Sequence, residues 1–277
     1  MIHIIIDSTA AVPPDMLQAH PNIQVIPLTL SFGKEYVPET ESSLEKVIDF
    51  TERTGENIKT SQPSTGDFLR LFGTVPKDDG IIVIAITSGV SGTYNGAVLA
   101  ARQSGRSQIT VVNSRTTAIG MVQLLEDVLE DIENGLSFED ISDRLNKAAL
   151  RMRTTFVPGT LEYLRRGGRI GKAAGLIGSI LNIRPVIFLN EKDEVDVLAK
   201  VRTEKKGFAR MLQFLQENAP CRRIGIVHIE NPEGAKALQD QVQKLYPGQT
   251  VTVSTGTPVL AAYLGPGLAG IIFEKAE

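Results

Sequence analysis

Apolar residues along this chain recur in two rhythms, and the switching between them outlines the fold. Met1–Asp7 is a short β-branched run, and Gly80–Thr87, "GIIVIAIT", is apolar throughout. An uninterrupted run of that kind is expected of a strand covered on both faces in a parallel sheet. "QITVVNS", Gln108–Ser114, reads as a second buried strand. Helical spacing appears over Ser43–Arg53, over the segment entered at Ser64, over "TYNGAVLAARQSG" from Thr93 to the closing Gly105, and over about 116–134 and 138–152. Ser64 with Asp67 three residues on is a capping-box pattern ahead of Phe68, Leu69, Leu71 and Phe72. "NIQVIPLTLSF" and "KEYVPE" flank Gly33 and predict a hairpin.

After "RMRTTFVPGT" the pattern changes. Leu161–Ile183 is rich in Gly and Ala on a helical backbone, and Arg184–Val201 reads as two strands around "NEKDE". A helix over Glu204–Glu217, the strand "RIGIVHI", a helix over Glu233–Leu245 and the strand "TVTVST" follow. Alternation of this sort predicts an α/β protein of two α/β domains. The N-terminal one, residues 1–155, is a doubly wound, mostly parallel sheet; the C-terminal one, 156–277, is a mixed sheet with helices. The boundary is expected near Thr154–Gly159, with a ligand held between the two.

Composition narrows the functions. A chain of 277 residues with formal net charge −3 and no basic block is not built for nucleic acid. The single cysteine, Cys221, excludes an intrachain disulfide and fits a cytoplasmic protein. The N-terminus reads as a first strand rather than a signal peptide. No run of roughly 18 apolar residues offers a membrane span. No His, Cys or Asp cluster has metal-ligand spacing, so neither metal nor cofactor is expected.

Chemistry is expected where strands end, since doubly wound sheets bind ligands beyond their carboxyl edges. Three such ends are rich in hydroxyls: Asp7–Ser8–Thr9, Thr87–Ser88 with Ser91–Gly92–Thr93, and Asn113–Ser114. Thr60–Ser61–Gln62–Pro63–Ser64 adds a fourth cluster before a helix. Neutral donors, helix N-termini and glycine-exposed amides suit an anion of low charge such as one carboxylate. A pyrophosphate calls for Lys or Arg as well, and none lies in these loops. Each loop taken alone is equally served by Ser and Thr as caps and turn residues.

"GVSGT" at Gly89–Thr93 nearly matches the hydrolase elbow G-x-S-x-G, which makes a serine hydrolase or a small-substrate phosphotransferase the alternative reading. A hydrolase needs a base. His3 lies at the far end of the first strand, His20 in a polar surface segment and His228 inside a strand of the other domain, so none suits that role. "GPGLAG" at Gly265–Gly270 spells G-x-G-x-x-G, but a strand rather than a helix follows, so these glycines read as turn positions.

Seven motifs in order, "IDSTAAVP", "TSQPSTGDF", "TSGVSGTYNGA", "NSRTTAIG", "LEYLRRGGRIGKAAGLIGSILNIRPV", "VRTEKKG" and "GPG", resemble the DegV family of fatty-acid-binding proteins from the first strand to the last. The resemblance implies a non-enzymatic carrier with a long-chain fatty acid between two domains. It implies that Thr60 and Ser91 hold the carboxylate, with Ser61, Gly92 and Thr93 close by, and Ser114 and Tyr263 as additional candidates. It implies a separate kinase that makes an acyl phosphate, in lipid transport or phospholipid metabolism, and Arg202, Lys205 and Lys206 as candidate docking residues for it. Relatives often carry "THTGPG" where this chain reads "AYLGPG", so Tyr263 replaces a histidine and places the third carboxylate contact in question. The Gly/Ala-rich segment Gly171–Ile183 is expected to approach closely enough to wall an apolar tunnel. Burying about 14 methylenes at about 0.8 kcal/mol each offers roughly 11 kcal/mol as an upper bound.

Overall fold

The computed structural model describes residues 1–176 and 183–276. The chain opens with β1 (Ile2–Asp7), α1 (Pro14–Ala19) and β2 (Ile23–Ile26), and continues with β3 (Thr29–Phe32), β4 (Glu35–Pro38), α2 (Leu44–Thr54) and β5 (Lys59–Ser61). Next come α3 (Thr65–Thr74), β6 (Gly80–Ala85), α4 (Thr93–Gln103), β7 (Ile109–Asn113), α5 (Ile119–Glu133) and α6 (Phe138–Arg151). Strands β2-β1-β6-β7, in that order, form a sheet in which every pairing is parallel. The register sets Ile6 beside Ile84 and Ala85 beside Asn113, so the loops after β1, β6 and β7 leave from one edge.

Side-chain alternation explains the helices on both faces. Ile5, Ile81 and Val83 pack with Phe68 and Phe72 of α3 and Ala97 and Ala100 of α4. Ile4, Ile6, Ile82 and Ile84 point the other way, toward Leu124, Leu125 and Val128 of α5. The expected buried character of β6 holds: all six residues are buried. That of β7 does not. It is the sheet's edge, and only Val112 in it is fully covered. The run expected as one hairpin arm is also divided. Ile23–Ile26 joins the parallel sheet, and past Pro27 the chain starts the small sheet β4-β3-β5. In that sheet Leu30 pairs with Thr60, which fixes where Thr60 lies. Ser64 and Asp67 do form a capping box at α3.

The second half contains β8 (Met152–Val157), α7 (Glu162–Arg166), β9 (Arg184–Leu189), β10 (Val195–Val201), α8 (Glu204–Glu217), β11 (Cys221–Ile229), α9 (Pro232–Leu245), β12 (Val251–Thr255), α10 (Pro258–Leu264) and β13 (Leu268–Lys275). Its sheet runs β10-β9-β8-β13-β11-β12, antiparallel except for β11 with β12. Among the described residues, the helical expectation after Leu161 is met by α7 and a 3-10 turn at Gly171–Leu176. The tunnel wall expected over Gly171–Ile183 falls partly on residues 177–182, which lie outside the described residues.

Helix α5 lies between the two sheets and is buried nearly all round, as a helix with two apolar neighbours must be. Charge ties its rim to the second sheet. Arg222 meets Asp127 at 2.6 Å and Glu274 at 2.9 Å, while Arg151 meets the same buried Glu274 at 2.7 Å. No helix among the described residues is long and apolar enough to cross a membrane.

Candidate functional site

Where the edge of the parallel sheet faces the second sheet, the fold leaves a cavity of about 350 Å³. Its wall is mostly apolar: Leu28 and Ile86 from the first half, Phe156, Leu189 and Val195 from the second, Val259 and Leu260 from α10, and Ile272 from β13. The volume and lining fit a small apolar ligand with one polar end.

The polar end is built from two hydroxyl pairs. Thr60 Oγ1 and Tyr263 OH are 2.6 Å apart, and Ser91 Oγ and Thr93 Oγ1 are 3.0 Å apart. Thr60, Ser91 and Tyr263 line the cavity, together with Ser61, Gln62 and Gly92. Thr93 is fully buried behind Ser91, and its amide also donates to Ser91 Oγ at 3.3 Å. Counting hydrogens gives the chemistry. Each pair holds two O–H groups and consumes one in its mutual bond, so each can turn one donor outward. Two outward donors match the two oxygens of a single carboxylate.

Sequence reasoning missed one group here. Arg169, from "RRGGRIGK", is the one cation lining the cavity among the described residues. Its guanidinium lies 4.7 Å from the centroid of the Tyr263 ring and donates to the carbonyls of Gly167 at 2.8 Å and Val90 at 3.3 Å. Tyr263 in turn lies flat against Gly167, where an added Cβ would stand 2.3 Å from the ring. A side chain at 167 would push Tyr263 away from both Thr60 and Arg169. The signal available in sequence was the glycine-bracketed arginine itself.

The other expected clusters sit behind the wall. Ser114 is fully buried, donates to the Thr116 carbonyl at 3.0 Å, and is not among the cavity's residues. Asp7, Ser8 and Thr9 are buried as well. Asp7 accepts from the Thr9 amide and hydroxyl and from the Ile86 amide. Burial pushes its carboxyl up to about 6 against the pull of those bonds, with Glu39 adding to the rise. Glu39 is raised for the same first reason, burial.

The loop after β6 is held from the second half. Asp193, in the β9–β10 turn, accepts from Asn113 Nδ2 at 2.8 Å and pairs with Arg115 Nε at 2.8 Å. Asn113 in turn donates to Ser88 Oγ and accepts from the Ser88 amide. Gly89 lies so near the Asp193 carbonyl that a Cβ would meet it at 1.8 Å, which explains the glycine.

No histidine among the described residues lines the cavity. His3 binds Asp79 at the opposite end of β1, and burial lowers the imidazole of His228, which accepts from the Asn231 amide. Gly265 and Gly267 take positive φ, and β13 follows them, as expected of turn positions. Arg202, Lys205 and Lys206 are exposed at the start of α8. Among the described residues they form no ion pair.

The architecture and cavity define an α/β protein of two main sheets and a small third one, with a mostly apolar site capped by hydroxyls. The DegV family profile matches residues 1–276, and the chain belongs to the DegV family. It is 30% identical over 276 residues to protein DegV of Bacillus subtilis, covering 98% of each chain. A structure described as fatty acid binding of a DegV family protein from Thermus thermophilus superposes with a TM-score of 0.89 at 26% identity, covering 99% of both chains. The Streptococcus pneumoniae fatty acid kinase (Fak) B3 protein loaded with linoleic acid shares the fold, with a TM-score of 0.84 at 22% identity over all of both chains.

Proposed function

We propose that this protein binds a long-chain fatty acid, its tail in the apolar cavity and its carboxylate between the Thr60–Tyr263 and Ser91–Thr93 pairs. The observation that carries the reading is the two hydroxyl pairs at one end of a cavity whose remaining wall is mostly Leu, Ile, Val and Phe. The solved relative from Thermus thermophilus supports it. Ser61 and Gly92 border the carboxylate, and Thr93 acts through Ser91. Tyr263 stands where the family resemblance implies a histidine, and its phenol shares with Thr60 the second of the two contacts. The tail supplies most of the affinity, and the hydroxyls select the head group.

The division of labour follows the two halves. Residues 1–155 carry the head-group loops of Thr60 and Ser91, and residues 156–277 add Tyr263 and cover the acyl chain together with Leu28 and Ile86 of the first half. The carrier reading extends to a partner: a separate cytoplasmic kinase acts on the presented carboxylate, and the fold shared with the Fak B3 protein supports this. Arg202, Lys205 and Lys206 form the docking face, where charge speeds encounter more than it adds affinity. The protein performs no chemistry of its own on this reading.

Delipidated protein should take up one equivalent of a saturated or monounsaturated long-chain acid and bind the corresponding alcohol far more weakly. Equal binding of acid and alcohol would remove the carboxylate from the site.

A further inference from the structure

Three backbone amides of the cavity wall are gripped from behind by one buried cluster. The Ile86 amide donates to Asp7 Oδ2 at 2.6 Å, and the Val259 amide donates to Glu39 Oε1 at 2.7 Å. The Leu28 amide donates to Ser8 Oγ at 2.9 Å, and that hydroxyl donates to Glu39 Oε2. Leu28, Ile86 and Val259 all line the cavity, whereas Asp7, Ser8 and Glu39 do not.

Two carboxylates buried to 1% and 3% exposure are costly groups to keep in a core. Among the described residues neither meets a cation; their partners are amides and hydroxyls. What they hold is specific. Ile86 begins the segment that carries Ser91, and Val259 lies in the first turn of α10, which carries Tyr263. One buried acid therefore stands behind each hydroxyl pair.

We propose that Asp7 and Glu39 are positioning residues of the head-group site, fixing Ser91 and Tyr263 at the separation that a carboxylate spans. This rests on the fatty-acid reading above. Geometry distinguishes the substitutions. In Asp7→Asn one orientation of the amide keeps the bond from the Ile86 amide and opposes only the Thr9 amide, so the grip on the cavity wall survives; Asp7→Ala loses it. In Glu39→Gln the amide oxygen still accepts from Val259, and its nitrogen donates to Ser8 Oγ, so the grip survives. Glu39→Ala loses it.

The readout is the ratio of affinities for palmitic acid and its methyl ester, measured on folded protein by calorimetry. A carboxylate that served only the core would, when removed, weaken acid and ester alike. Loss of a well-placed donor to a charged group instead lowers acid affinity about tenfold and leaves the ester nearly unchanged. Asp7→Ala and Glu39→Ala are expected to lose the discrimination, and Glu39→Gln to keep it. Discrimination kept in Asp7→Ala, or acid and ester weakened equally, overturns the proposal. Should Asp7→Ala not fold, the Glu39 pair decides: a ratio lost in Ala and kept in Gln supports positioning, and equal ratios overturn it. Unmodified protein that binds neither acid nor ester overturns the fatty-acid reading, and the positioning role with it. Unmodified protein that discriminates, beside variants that do so equally well, overturns positioning alone.

Discussion

Replacing Ser91 by Ala removes one of the two outward donors and leaves the rest of the cavity in place. The neighbouring hydroxyl cannot take over. Thr93 is fully buried and is not among the cavity's residues. The loss is therefore one hydrogen bond to an ionised oxygen, about 1.5–3 kcal/mol, or roughly 10- to 150-fold in affinity. The fold loses less. Ser91 Oγ accepts from the Thr93 amide at 3.3 Å beside the start of α4, a weak cap worth about 0.5–1 kcal/mol. Titration calorimetry with free acid and with methyl ester separates the two costs. The account predicts a large loss for the acid, little change for the ester, and a melting temperature lowered by a few degrees. Equal losses for acid and ester, or unchanged acid binding, would refute the donor count. So would a stable acyl ester on Ser91, which intact-mass measurement would reveal.

Tyr263→Phe combined with Thr60→Val keeps the ring over Gly167 and beneath Arg169 but removes both hydroxyls of the pair, so neither can take over from the other and acid binding should fall about tenfold; binding unaffected in calorimetry would remove this pair from the head-group site. Glu274→Ala removes the buried carboxylate that Arg151 and Arg222 share, while Arg222 keeps Asp127, and should cost about 1–3 kcal/mol in denaturant unfolding; a cost below about 0.5 kcal/mol would show the network to be solvated. Burial raises Asp7 from 3.8 to about 6, so the folded protein holds that proton more tightly than the unfolded chain, and the group's stabilising contribution is lost as pH rises through about 6. The melting temperature of the unmodified protein relative to Asp7→Asn should therefore decline from pH 4 to pH 7, and a constant difference would mean that Asp7 does not titrate there. Reversing Arg202 and Lys205 to Glu should leave fatty acid binding intact and slow acyl-phosphate formation by the cognate kinase; full turnover at low salt would return this face to plain surface.

Local signals in this sequence were strong enough to be read directly. The apolar run of β6, the Ser64–Asp67 capping box and the limits of α8 depend on neighbours a few residues away, and each formed where the pattern placed it. The errors arose where position in the sheet decides burial. β7 has a core strand's composition but lies at an edge, and only pairing order reveals that. Pro27 ended one strand inside what looked like a single run. Thr60 and Ser91 of the proposed head-group site were legible because they lie in hydroxyl-rich loops, and Tyr263 was named only through the family resemblance. Its placement, and that of the buried acids, depends on contacts that no local pattern encodes. Tyr263 meets Thr60 across 203 positions, and Glu39 holds the Val259 amide across 220. Arg169 joins the cavity only because the turn after α7 brings it back over Tyr263.

Mass spectrometry of an organic extract from freshly purified protein tests the central claim most directly. The account predicts a long-chain saturated or monounsaturated free fatty acid at a sizeable fraction of the protein's molarity, and its loss from a Thr60→Val, Ser91→Ala, Tyr263→Phe triple variant that still folds. An extract without fatty acid, from protein that also fails to take up added palmitic acid, would contradict it.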